Sequence, residues 1–135
     1  MIRYLVDTHI LGYFARRSFE PLLARMEEAL ESKEVAMSVI TRAETLFGLA
    51  RLEPDDKRRR TVKLILEAFP CLAWTTEAAD CYGEIAAIPE KKGKSIGQMD
   101  TMIAAHALVT DLAVVTRNTK HFERVPGLKL EDWTA

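Results

Sequence analysis

Short β-rich runs alternate with longer segments of helical period throughout this chain, and few folds accommodate that pattern. The β-rich runs are Ile2–Val6, "EVAMSVI" at 34–40, Leu72–Thr75, "LAVVT" at 112–116 and Leu128–Leu130. Between them the spacing of apolar residues predicts helices. Thr8–Arg16 places Ile10, Leu11 and Phe14 on one side. A second helix opens at Ser18 or Glu20, with Pro21 in its first turn, and repeats Leu22, Leu23, Met26 and Leu30. Thr41–Leu52 carries Ala43, Leu46, Phe47 and Ala50 on one side. From Pro54 a further helix turns "DDKRRR" outward and Val62, Ile65, Leu66 and Phe69 inward, and Pro70 stops it. Glu77–Ile88, Asp100–Val109 and Thr119–Arg124 complete the set, with a polar loop "PEKKGKSIGQ" before Asp100. Strands alternating with helices in this way build βα units: an α/β fold with a mostly parallel sheet and helices on both faces.

The chain has 135 residues and no internal repeat or linker, which implies a single domain over 1–135. Its 48% apolar content supplies one core. No apolar run reaches the ~18 residues of a membrane span, and no secretory signal pattern opens the sequence. Cys71 and Cys81, the only cysteines, lack zinc-ligand spacing and read as reduced thiols. The expected location is therefore the cytoplasm. Nineteen Lys and Arg against twenty Asp and Glu give a net charge of −1, so any nucleic-acid binding must rest on local patches, not on a global field.

Sites in open parallel sheets lie beyond the carboxyl ends of the strands, and acids stand there. Asp7 directly follows the first predicted strand, Glu44 follows the second by four residues, and Asp100 heads the "DTMIAAHAL" helix. Asn118 follows the fourth strand by two. Each has a plain structural explanation. Asp7 and Asp100 suit helix N-caps, and Thr41-Arg42-Ala43-Glu44 matches the T-x-x-E capping box. Together they point elsewhere. Asp7 ends a run that should be buried, and Asp100 is in phase with Ile103, Ala104 and Ala107. Carboxylates gathered in a cleft repel unless a cation compensates them. Hard oxygen donors without clustered His or Cys point to Mg²⁺ or Mn²⁺ as cofactor, and such a site suits phosphodiester hydrolysis.

The blocks "YLVDTHIL", "SVITRAETLFGL", "IGQMDTMIAAHAL" and "AVVTRNTKHFERVPGLKLEDW" together resemble the PIN-domain ribonucleases, and most of all the VapC toxins of bacterial toxin–antitoxin pairs. The resemblance runs from Ile2 to Trp133. It implies a three-layer α/β/α sandwich and Mg²⁺- or Mn²⁺-dependent endonucleolytic cleavage of RNA. It also implies a cognate VapB-like antitoxin that occupies the cleft, a homodimer, and operator DNA bound only through the antitoxin. The family's acids map onto Asp7, Glu44 and Asp100, as metal ligands and catalytic residues. Two positions depart from the family pattern: His9 stands where D-T-N is usual, and Asn118 stands where many relatives carry an acid. The ending "HFERVPGLKLEDW" resembles the enteric toxins whose substrate is initiator tRNA, cut in the anticodon stem-loop.

Further candidates surround this set. Thr116 and Asn118 could hydrogen-bond a ligand carboxylate or a water. Lys91, Lys92 and Lys94 could bind phosphates beside the site, or simply be solvated. "KRRR" at Lys57–Arg60 reads as a solvated helix face. His106 and His121 show no metal-pair spacing. Tyr13, Phe14 and Phe47 fit the core or an apolar groove. A metallophosphoesterase would need a later G-D or G-N-H block, and a haloacid-dehalogenase-like phosphatase needs an Asp where His9 stands. The remaining alternative is a catalytically silent PIN-fold module that binds RNA or protein.

Overall fold

The computed structural model describes the backbone of residues 1–92 and 96–135, and the side chains of residues 1–88 and 96–135. Five strands form one parallel sheet in the spatial order β3-β2-β1-β4-β5. They are β1 (Tyr4–Val6), β2 (Val35–Ser38), β3 (Cys71–Leu72), β4 (Ala113–Val115) and β5 (Leu130–Glu131). The helices are α1 (Thr8–Ala15), α2 (Glu20–Glu31), α3 (Val39–Ala50), α4 (Arg58–Ala68), α5 (Thr76–Lys92), α6 (Gln98–Thr110) and α7 (Thr119–Phe122). From β1 the chain winds outward through β2 and β3, then returns to add β4 and β5 on the other side of β1. The order therefore reverses between β1 and β4, and the crevice beyond their carboxyl ends is where such sheets place their sites.

Alternation along the strands splits the core into two layers. Tyr4, Val6, Val35, Met37 and Val115 face one way and pack against Ile10, Leu22, Met26 and Ile65 of α1, α2 and α4. Leu5 and Val114 face the other way, against Ile103 and Ala107 of α6. Every residue of β1, β2 and β4 is buried, as expected of a parallel sheet covered on both faces. Trp133, 5% exposed, sets its ring edge-on to Tyr4 with centroids 4.9 Å apart, which holds the segment after β5 against the sheet.

Several boundaries differ from the expected ones. β2 stops at Ser38 instead of running to Ile40, because the Ser38 hydroxyl accepts the Ile40 N–H at 3.1 Å and caps α3. The chain from Pro54 is a turn, and α4 begins at Arg58, whose N–H donates to Asp56 Oδ1 at 2.9 Å. Within "KRRR", Arg59 is half-buried and donates to the Leu49 and Leu52 carbonyls at 2.9 and 3.1 Å, so it serves the end of α3. The expected loop "PEKKGKSIGQ" is helical as far as Lys92, in α5. Phe47 is not a core residue: it is 65% exposed and Leu46 is 41% exposed. Ala43 and Ala50 are exposed beside them, so the apolar stripe of α3 faces outward.

Candidate active site

The site is built where β1 and β4 end side by side. Val6 pairs with Val115, and the next residue on each strand is Asp7 and Thr116. Asp7 N–H donates to the Val115 carbonyl at 3.1 Å. Its backbone is extended (φ −81°, ψ 167°), and its Oδ1 accepts the Ile10 N–H at 2.8 Å, which caps α1. Its Oδ2 accepts the Thr116 hydroxyl at 2.6 Å. Thr116 Oγ1 also accepts the Asn118 N–H at 3.0 Å, so its one proton is directed at the carboxylate. Asp7 is thus both the helix cap and a buried acid, 3% exposed. Burial pushes its pKa above the usual carboxylate value, and the charge of Asp100 adds to that; the hydrogen bonds from Thr116 and Ile10 and the charge of His9 pull the other way.

Asp100 lies in the first turn of α6 but is not its cap. Gly97 takes the N-cap position with φ +94°, a conformation that glycine adopts without steric cost. That leaves the Asp100 side chain free for the crevice, and its Oδ2 meets His121 Nε2 of α7 at 2.9 Å. Sequence reasoning missed His121. Twenty-one residues separate the pair, and the only available signal was the position of "TKHF" just past a strand that ends on the site rim.

Glu44 does not form a capping box either. Ser38 caps α3, and Thr41, where the box would begin, lies inside the helix. Instead Glu44 Oε1 accepts the Thr8 hydroxyl at 2.7 Å, one residue along from Asp7. The sequence-predicted acids are therefore drawn toward one end of the sheet. The charge of Asp100 reaches Asp7, and Glu44 is tied to the first residue of α1. Among the described residues, no three His, Cys, Asp or Glu side chains form a ready metal-holding group. A buried carboxylate at a strand end, with a second acid in the first turn of α6 near enough to act on it, still fits a hard divalent cation, because Mg²⁺ is commonly bound by one or two carboxylates and keeps several waters. The side chains of Lys91, Lys92 and Lys94 lie outside the described residues. Asn118 sits beside Asp7 on the wall of an open cleft of about 670 Å³, and His9 lies on the same wall.

A cleft lined by a buried acid beyond the carboxyl ends of a doubly wound parallel sheet places this chain in the class of α/β proteins that bind their ligands at that rim. Comparison with known proteins narrows that class. The chain belongs to the PIN-domain family, whose model matches residues 4–128. It is 31% identical over 133 residues to the tRNA(fMet)-specific endonuclease VapC of Salmonella typhimurium, covering 98% of this chain and 99% of that one. It is 32% identical to Ribonuclease VapC2 of Haemophilus influenzae over 98% of its length and 99% of the relative's. Among solved structures, DNA-bound VapBC from Salmonella typhimurium superposes with a TM-score of 0.89 at 30% identity, covering 98% of this chain and 99% of that one. VapBC2 from Rickettsia felis, bound to a promoter DNA fragment, gives 0.87 at 28% identity over 98% and 99%.

Proposed function

We propose that this PIN-domain protein is the toxin of a toxin–antitoxin pair: a Mg²⁺- or Mn²⁺-dependent endoribonuclease that cleaves phosphodiester bonds in tRNA, with the anticodon stem-loop of initiator tRNA as target. The observation that carries this reading is Asp7, a buried carboxylate at the switch point of the sheet, raised by burial and by the charge of Asp100. A charge in that position calls for a compensating cation. Asp7 and Asp100 would hold the metal, which when bound supplies an activated water and steadies charge on the phosphate.

The protein's own part is orientation. Thr116 keeps its proton on Oγ1, aimed at Asp7 Oδ2, which fixes the plane of that carboxylate. His121 fixes Asp100 in the same way. Thr8 holds one oxygen of Glu44 and leaves the other to position a water near the scissile bond. The VapBC complexes that this chain resembles supply the regulatory side of the reading. A VapB-like antitoxin inhibits the cleft and carries the DNA-binding part of a complex built on a toxin homodimer. The exposed apolar stripe at Leu46 and Phe47 is the kind of surface that protein partners cover.

The test is to induce the protein briefly in cells and sequence the new RNA ends, with Asp100→Asn as control. A single cluster of ends in one tRNA loop, absent with Asp100→Asn, is the expected result. No new ends, with growth unaffected, would instead favour the catalytically silent module.

A further inference from the structure

The cleft that Asp7 lines extends well beyond that carboxylate. Its wall continues over Tyr13, Phe19 and Arg117, none of which has a part in the chemistry above. Tyr13 and Phe19 are half-buried, their outer parts on the cleft and their inner parts packed against the main core. The two rings meet edge to face with centroids 5.3 Å apart and planes at 79°. The Arg117 guanidinium lies over this pair, 5.0 Å from the Phe19 centroid and 5.9 Å from that of Tyr13. The Arg16 guanidinium lies 5.3 Å from the Tyr13 ring. Arg117 itself is exposed, and no ion pair with an acid occupies it among the described residues.

Its backbone is flanked on both sides by hydrogen bonds of the site. Arg117 stands between Thr116, which donates to Asp7, and Asn118, whose N–H donates to Thr116. A guanidinium within cation–π distance of two aromatic rings is held more closely than an exposed arginine with no such contact. It presents a delocalised plane and charge-assisted donors beside the site of cleavage. Unpaired bases of RNA stack on guanidinium planes and aromatic faces, and the cleft volume of about 670 Å³ suits a nucleotide.

We infer that Arg117, braced by Phe19 and Tyr13, is a stacking platform for an unpaired RNA base next to the scissile phosphate. The inference rests on the ribonuclease reading and adds a substrate requirement to it: a splayed-out nucleotide within one base of the cut. Arg117, Phe19 and Tyr13 are positioning residues here, and they select looped over paired RNA.

The experiment is a cycle between protein and RNA. Cleavage of an anticodon stem-loop is followed under Mn²⁺ for wild type, Arg117→Lys and Phe19→Leu, on the intact RNA and on RNAs carrying one abasic position at a time. Arg117→Lys keeps the charge but loses the plane. Its KM should rise roughly five- to a hundredfold, the range of one lost base stack, with kcat within about threefold. At one abasic position next to the cut, wild type and Arg117→Lys should become equal, an outcome that a merely structural role for Arg117 does not produce. If wild type cuts RNA and Arg117→Lys matches it on every substrate, the platform is overturned and the ribonuclease reading stands. The platform is equally overturned if the Arg117→Lys defect is unchanged by every abasic position, or if the variant loses only antitoxin affinity. If wild type cuts no RNA at all, the ribonuclease reading falls and takes the platform with it.

Discussion

Asp7→Asn should make the metal-free protein more stable. Asn caps a helix about as well as Asp, so its Oδ1 can still accept the Ile10 N–H that Asp7 holds at 2.8 Å. Its amide then faces Thr116 Oγ1, which must turn its proton away and accept. The change thus gives up two charge-assisted hydrogen bonds, worth ~1.5–3 kcal/mol each, for neutral ones of ~1 kcal/mol, and takes from the buried Thr116 proton its present acceptor, a further cost of ~1–3 kcal/mol. Against this it removes an ionised group from a site only 3% exposed, where the effective desolvation penalty is several kcal/mol, and it relieves repulsion from Asp100. The direction of the Asp7 shift says which side wins: burial outweighs the hydrogen bonds. For a domain of this size each ~1 kcal/mol of net gain appears as a rise in Tm of roughly 3–4 °C. The pH dependence carries a sign. Because the native pKa is raised above 3.8, the penalty is absent below that value, appears as pH rises through the native pKa, and persists at neutral pH. Calorimetry in EDTA across about pH 4 to pH 8 tests this. An advantage for Asp7→Asn that grows with pH is expected. Equal melting at every pH, with both proteins folded, would show that burial of the Asp7 charge costs nothing net.

Glu44→Gln keeps the acceptor for Thr8, so stability should change by less than ~0.5 kcal/mol while RNA cleavage falls by roughly two orders of magnitude; single-turnover assays with a circular-dichroism control check both. His121→Leu frees the Asp100 carboxylate and should weaken Mn²⁺ affinity by about tenfold or more, read by Mn²⁺ titration of thermal stability. His106 is 1% exposed and burial lowers its pKa below 6.5. Below that pH the unfolded chain takes up a proton that the folded protein refuses, so wild type should lose stability as pH falls from about 7 to 5. His106→Gln should show a shallower slope in urea titrations.

The fold was legible because strand and helix periods alternate along most of the chain, and the burial of Asp7 was legible because an apolar run ends on it. What escaped the sequence reading was of other kinds. The end of β2 was hidden by Val39 and Ile40, β-branched residues that read as strand although Ser38 caps a helix there. Thr41 and Glu44 matched a capping box in spacing, yet no local pattern reveals that α3 starts earlier and that Glu44 reaches Thr8 of another helix. Periodicity marked the apolar stripe of α3 correctly but could not say that it faces outward. His121 and Asp100 meet only through the packing of α7 beside α6, a tertiary contact with no trace in local sequence.

Metal-dependent ribonuclease activity is tested most directly by cleavage of purified initiator tRNA with the purified protein. With Mn²⁺ or Mg²⁺, a single cut in the anticodon stem-loop is expected, abolished by EDTA, restored by excess metal, and reduced roughly a hundredfold or more by Asp100→Asn. Cleavage that persists in EDTA, or that Asp100→Asn supports at the wild-type rate, would show that the acids at the strand ends do not hold a catalytic metal.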